Sequence, residues 1–76
     1  MLLEKLCKSY GVAGFEDEVR GIVIRELRRV CDDVRTDAMG NVVALRRGIG
    51  RKRRKLMLAA HMDEIGFLVT HIDEMG

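Results

Sequence analysis

Apolar residues recur at helical spacing in two stretches near the start of the chain, and each predicts a helix. The first has an apolar stripe made of Leu2, Leu3, Leu6 and Cys7. Gly11 follows it and can end that helix. The second runs from about Glu16 to Asp32. It begins with acidic and ends with basic residues, which suits the helix macrodipole. Its apolar stripe comprises Val19, Ile22, Val23, Leu27 and Val30.

The rest of the chain has the patterns of strands. Residues 33–37 and 41–46 flank a turn that contains Gly40, and together they predict a hairpin. Residues 56–60 are nearly all apolar, as in a strand buried on both faces. Residues 67–73 predict a last strand. Two N-terminal helices followed by sheet strands indicate the α/β class, of which this chain would hold the first portion.

Composition limits what the chain can build by itself. Its 76 residues suffice for one small domain, and a 4% aromatic content without Trp provides few large core side chains. The two cysteines, Cys7 and Cys31, are predicted to be buried in the two helices in a reducing compartment, although a disulfide between them stays open. No stretch resembles a signal peptide or a membrane span. We therefore expect a cytoplasmic protein with no membrane partner.

Basic residues are concentrated in one segment. Seven of the fourteen Lys and Arg residues lie between Arg46 and Lys55, and no acidic residue occurs between Asp37 and Asp63. Such a run can form a small nucleic-acid-binding module that contacts phosphates. It has no interleaved aromatic residues, and it is not on a predicted helix. A solvated loop whose charges precede a very apolar strand is therefore the favoured interpretation, and nucleic acid is not an expected partner.

A candidate site follows the apolar strand, at His61 and Asp63. Side chains alternate along a strand, so these two residues would point to the same side. His61 could ligate a metal while Asp63 fixes the tautomer and orientation of its ring. The carboxyl end of a strand is also where α/β sheets bind ligands. A solvated polar turn is the alternative for so short a motif.

Further motifs surround this pair in a fixed order. They are the segments 14–20, 37–42, 59–67 and 71–73. Together they resemble the N-terminal part of the tetrahedral aminopeptidases, which include glutamyl and leucyl aminopeptidases and members labelled endoglucanase or cellulase M. The resemblance covers essentially the whole chain. It implies the first portion of a zinc-peptidase-like α/β catalytic domain.

The resemblance also implies roles for the two site residues. His61 matches the ligand of one ion in a centre of two divalent ions, zinc or cobalt. Asp63 matches the aspartate that orients this ligand and supports catalysis. The other ligands and the glutamate that acts as general base lie beyond Gly76 in relatives. His71 lies on the last predicted strand, away from this motif, and Glu64 should face opposite to Asp63 if the backbone is extended, so we assign neither a ligand role.

The expected function follows from the same resemblance. The parent protein would be a metal-dependent aminopeptidase that hydrolyses N-terminal residues from peptides, and this chain an incomplete, inactive fragment of it. Residues 1–66 would belong to the catalytic domain, and residues 67–76 would form a crossover strand toward a missing β-rich dimerisation domain. The resemblance also implies assembly with identical subunits, often twelve, which we do not expect of a fragment without that domain. A basic binding module and a non-functional truncated product are the alternatives.

Overall fold

The computed structural model describes residues 1–76 and contains two helices followed by two strands. Helix α1 spans Leu2–Lys8 and helix α2 spans Asp17–Arg28. Strands β1 (Asp33–Thr36) and β2 (Val42–Leu45) form a two-stranded antiparallel sheet. The predicted α/β order of helices and then strands is confirmed, and so is the hairpin. Neither helix has the length and apolar character that a membrane crossing requires.

Helix α2 is shorter than predicted, mainly at its C-terminal end. The amide of Arg29 donates to the carbonyl of Glu26, which tightens the last turn. The amide of Cys31 then donates to the carbonyl of Leu27 at 2.8 Å, and the chain turns toward β1. Val30 consequently leaves the apolar stripe and is exposed.

The predicted burial of both cysteines is wrong. Cys7 is exposed on the short helix α1, and Cys31 is half-buried beyond the end of α2 rather than within it. Both are free thiols. The physical reason is that too little chain packs over α1 to cover its outer side.

The hairpin turn is held by the carboxylate of Asp37. Its Oδ1 accepts hydrogen bonds from the amides of Met39 and Asn41 at 3.0 and 2.9 Å, and its Oδ2 accepts one from Asn41 Nδ2 at 2.9 Å. Gly40 adopts a φ of +88°, which an L side chain rarely tolerates. The turn thereby sets the register, with Thr36 opposite Val42.

The same hydrogen bonds make the hairpin pH-dependent. The Asn41 side-chain amide, then the backbone amides, hold the pKa of Asp37 below its ordinary value. Because the pKa of Asp37 is lowered in the folded state, the stabilisation that its carboxylate gives to the hairpin is complete above the pKa that this carboxyl has in the unfolded chain. This stabilisation is lost as the pH falls through the lower pKa of the folded state. We expect an NMR titration of the Asp37 carboxyl to give a lower midpoint in the unsubstituted chain than in the Asn41→Ala variant, which lacks the side-chain donor. Equal midpoints in the two chains would contradict this account of the turn.

Arg20 joins helix α2 to the hairpin. Its Nε donates to the carbonyl of Gly40 at 2.7 Å, and its guanidinium forms an ion pair with Asp17 on the same helix. Its side chain is only 16% exposed. A Cβ at Gly40 would lie 2.6 Å from Arg20 Nη2, so a side chain at this position would displace the arginine. Arg20 thus fixes the start of α2 beside the turn.

The predicted strands at residues 56–60 and 67–73 are not formed in this chain. No backbone–backbone hydrogen bond involves residues 48–63, and Leu56, Met57 and Leu58 are 85–88% exposed. A strand needs a partner to satisfy its amides and carbonyls, and these 76 residues provide none for either segment. Val19 is the one buried apolar residue. The radius of gyration is 16.9 Å, whereas a compact domain of this length has about 11 Å.

Candidate functional site

A short bridge fixes the candidate site beside the start of helix α2. The amide of Glu64 donates to the carbonyl of Gly11 at 2.7 Å, and the amide of Gly11 donates to Glu64 Oε1 at 3.3 Å. Val12 and Glu64 pair as an isolated parallel bridge. A Cβ at Gly11 would lie 3.1 Å from Val19 Cγ1, so the close approach favours glycine there. Sequence reasoning missed this role of Glu64, because nothing in the pattern around either residue indicates that they pair.

His61 and Asp63 contact each other directly. His61 Nδ1 lies 2.9 Å from Asp63 Oδ1 and 3.1 Å from the backbone carbonyl oxygen of Asp63. Both neighbours are acceptors, so this geometry suits the tautomer in which Nδ1 carries the proton. Nε2 then keeps its lone pair. The imidazole is 85% exposed and the Asp63 side chain 42% exposed, so Nε2 is accessible.

The pair lies beside a cleft bordered by helix α2 and the hairpin turn. This cleft has a volume of about 340 Å³ and is lined by Glu16, Arg20, Asn41, His61 and Asp63, among others. Residues that sequence analysis placed in separate motifs therefore meet around one space. The acidic start of α2, the hairpin turn and the His61 segment are its three walls.

Glu16 enters this cleft but its carboxylate is already engaged. Its Oε1 accepts a hydrogen bond from the amide of Gly14 at 2.8 Å, and its Oε2 lies 3.6 Å from Arg20 Nη2. The carboxylate therefore supports the loop and the first turn of α2, in line with the interpretation of the acidic cluster as a helix start. No group of three or more His, Cys, Asp and Glu side chains is arranged to hold a metal ion.

The other singled-out residues form no polar contact with the pair. His71 is exposed in the C-terminal segment, and no hydrogen bond or ion pair joins it to His61. In the basic segment, Arg47 pairs with Asp33 at 3.1 Å, whereas the other six Lys and Arg residues form no ion pair. These six are exposed to solvent. A nucleic-acid-binding role for this segment stays a prediction.

The donor chemistry of the pair fits one ligand of a divalent metal site. Neutral imidazole is a common metal ligand, and ligating histidines usually donate their second ring N–H to a carboxylate or carbonyl. His61 has both kinds of acceptor at Nδ1 and an accessible Nε2. A zinc site takes three or four protein ligands, so this chain would provide only a part of the set.

Known proteins match the chain over nearly all its residues. Residues 40–76 match the model of the M42 glutamyl aminopeptidase family. A predicted aminopeptidase of Acetivibrio thermocellus is 44% identical over 75 residues, covering 99% of this chain and 22% of that protein. The lysyl aminopeptidase of Pyrococcus furiosus is 43% identical over 76 residues, covering 99% of this chain and 21% of that protein. The predicted aminopeptidase FrvX of Escherichia coli K12 is 44% identical over 75 residues, covering 99% of this chain and 20% of that protein.

The matched region is small relative to these proteins. The chain spans about a fifth of the length of the curated relatives it matches. No solved structure matches it.

Proposed function

We propose that this chain, whose residues 40–76 match the M42 glutamyl aminopeptidase family, forms part of a metal-dependent aminopeptidase that acts on peptide N-termini. The observation that carries the proposal is the contact between His61 Nδ1 and Asp63 Oδ1 at 2.9 Å. It leaves Nε2 directed away from its carboxylate partner and open to solvent. Peptide substrates, assembly with identical subunits and a cytoplasmic location belong to the same proposal.

In this proposal His61 binds one of two divalent ions, zinc or cobalt, through Nε2. Asp63 is a positioning residue, because it acts on the metal through the imidazole. Its carboxylate holds the ring and, as an acceptor from Nδ1–H, makes Nε2 a stronger donor. The bound ions would supply an activated water and polarise the scissile carbonyl. The remaining ligands and the general base would come from polypeptide outside these 76 residues.

The bridge at Glu64 has a mechanical role in the proposal. It ties the segment behind His61 to Gly11, and Arg20 ties the turn opposite to helix α2. One border of the cleft is thus fixed to the loop that precedes helix α2, and the other to the helix itself. A ligand held on such a support keeps its direction better than one on a free loop.

The division of the chain into two parts also stays a proposal. Residues 1–66 would belong to the catalytic domain, and residues 67–76 would lead into a dimerisation domain. Gly66 supports a boundary here, because a Cβ at this position would clash with the side chain of Val12. Beyond it, Phe67 and Val69 are exposed.

A chimera tests the proposal directly. In it, this chain replaces the aligned segment of the P. furiosus lysyl aminopeptidase, which supplies the remaining four-fifths of a family member. We expect the chimera to hydrolyse aminoacyl-nitroanilides only when zinc or cobalt is present, because the two parts together hold a complete ligand set. The isolated 76-residue chain, assayed under the same conditions, is expected to have no turnover above the blank.

The controls separate a defective site from a defective fold. The parent aminopeptidase gives the reference activity, and circular dichroism and thermal melting show whether the chimera folds. A chimera that folds and binds metal but has no activity would contradict the proposed function. Metal-dependent turnover by the isolated chain would contradict the claim that these residues form only part of a site.

A further inference from the structure

One peptide group connects the candidate metal ligand to the loop before helix α2. It lies between Asp63 and Glu64. Its carbonyl oxygen lies 3.1 Å from His61 Nδ1, and its N–H donates to the carbonyl of Gly11 at 2.7 Å. The peptide bond is trans, so these two groups point in opposite directions from one rigid plane. A rotation of this plane that broke the bond to Gly11 would also turn the carbonyl away from the imidazole.

The side chain of Glu64 holds the same plane from a second direction. Its Oε1 accepts a hydrogen bond from the amide of Gly11 at 3.3 Å, while the amide of Glu64 donates to the Gly11 carbonyl. Gly11 is buried, and a buried amide without an acceptor costs free energy. Loss of the Glu64 carboxylate would therefore leave the Gly11 amide unsatisfied and weaken the bridge between the two residues.

Gly11 is itself held against helix α2. A Cβ at Gly11 would lie 3.1 Å from Val19 Cγ1 and 3.5 Å from the carbonyl oxygen of Met62. The glycine thus fits between the first turn of the helix and the segment that carries His61, and Val19 is buried there. These contacts join residues of this chain to each other and do not depend on a strand at residues 56–60.

We infer that Glu64 is a positioning residue for His61, and that it acts through the peptide group that it shares with Asp63. The inference rests on the proposed function, in which His61 Nε2 binds one divalent ion. With both contacts to Gly11 formed, the carbonyl and the carboxylate of Asp63 are held beside His61 Nδ1. A ligating histidine whose second ring N–H is held in this way keeps its direction toward the metal.

Two variants of the chimera with side chains of similar length test the hydrogen bond itself. Glu64→Gln keeps an oxygen that can accept from the Gly11 amide, whereas Glu64→Met removes it. We expect Glu64→Met to raise the zinc dissociation constant, measured by chelator competition, roughly tenfold. Glu64→Gln should stay within about twofold of the unsubstituted chimera, because the acceptor remains. Glu4→Met makes the same change on an exposed carboxylate of helix α1 and should leave the zinc affinity unchanged.

A cycle of double variants shows whether Glu64 acts through His61. In the His61→Ala background the ring is absent, so adding Glu64→Met should leave the residual zinc affinity unchanged. A merely structural role would weaken zinc binding by the same factor in both backgrounds, and that result would overturn the inference. The visible absorption bands of the cobalt-loaded chimera report the geometry around the ion. They should shift in Glu64→Met and stay in place in Glu64→Gln.

Hydrogen exchange of the metal-free chimera tests the bridge without metal or activity. The peptide that contains Gly11 should exchange faster in Glu64→Met than in Glu64→Gln. Circular dichroism and thermal melting check that every variant is folded. Equal zinc affinities of folded Glu64→Met and Glu64→Gln would overturn the inference and leave the proposed function intact. Unchanged zinc affinity after His61→Ala would instead overturn the proposed function, and the positioning role with it.

Discussion

Replacing His61 by alanine in the chimera is expected to lower kcat/KM on an aminoacyl-nitroanilide by about a thousandfold. The variant removes the Nε2 donor that we assign to one of the divalent ions. Loss of a ligand displaces or misplaces the ion, whose charge stabilises the transition state by several kcal/mol. A factor of a thousand corresponds to about 4 kcal/mol. Steady-state kinetics at saturating metal measures the effect.

His71→Ala is the matched control for this variant. It removes the other histidine of the chain, which is exposed and forms no hydrogen bond with His61, so kcat/KM should stay within about twofold of the unsubstituted chimera. Since the His61 ring is 85% exposed in this chain, its loss should leave the melting temperature of the metal-free chimera nearly unchanged. Activity close to that of the unsubstituted chimera after His61→Ala would remove His61 from the proposed site.

Replacing Asp63 by asparagine is expected to weaken metal binding by about 10- to 100-fold, the range found for partners of ligating histidines. Asparagine can still accept a hydrogen bond from His61 Nδ1, but without the charge that makes Nε2 a stronger donor. The dissociation constant for zinc, measured by competition with a chelator, reports the change. Asp63→Glu should recover part of the affinity, because it restores the carboxylate at a different reach.

Asp73→Asn makes the same chemical change on an exposed carboxylate in the C-terminal segment, and it should leave the metal affinity unchanged. Equal zinc affinities of the Asp63→Asn variant and the unsubstituted chimera would show that Asp63 does not act on the metal through His61.

Features of the fold that depend on nearby residues were predictable from the sequence. The hairpin follows from alternation on either side of a turn, and the structure pairs Thr36 with Val42 across it. Helix α2 follows from its apolar stripe and its charge order. Its early end was not predictable, because the spacing of Val30 continues the stripe although the chain already turns toward β1 there.

Features that depend on distant residues were not predictable. Gly11 and Glu64 are 53 residues apart, and nothing in either local pattern indicates that they pair. Residues 56–60 have the composition of a buried strand, but composition shows only what a segment could bury. Whether it forms a strand depends on a partner, which these 76 residues do not provide.

The candidate site lies between these two cases. The spacing of His61 and Asp63 predicted that the two side chains would lie on the same side of the backbone. In the structure His61 Nδ1 lies 2.9 Å from Asp63 Oδ1. The cleft that they share with Glu16 and Asn41 could not be predicted, because Arg20 and Glu64 assemble it from three separate parts of the chain. The metal-binding role itself stays a prediction.

The metal content of the chimera tests this role most directly. The purified chimera is loaded with excess zinc, desalted and analysed by inductively coupled plasma mass spectrometry, alongside its His61→Ala and His71→Ala variants. Our account predicts two zinc ions per subunit in the unsubstituted chimera and in the His71→Ala variant, and one or fewer after His61→Ala. Two ions per subunit in a folded His61→Ala variant would contradict it.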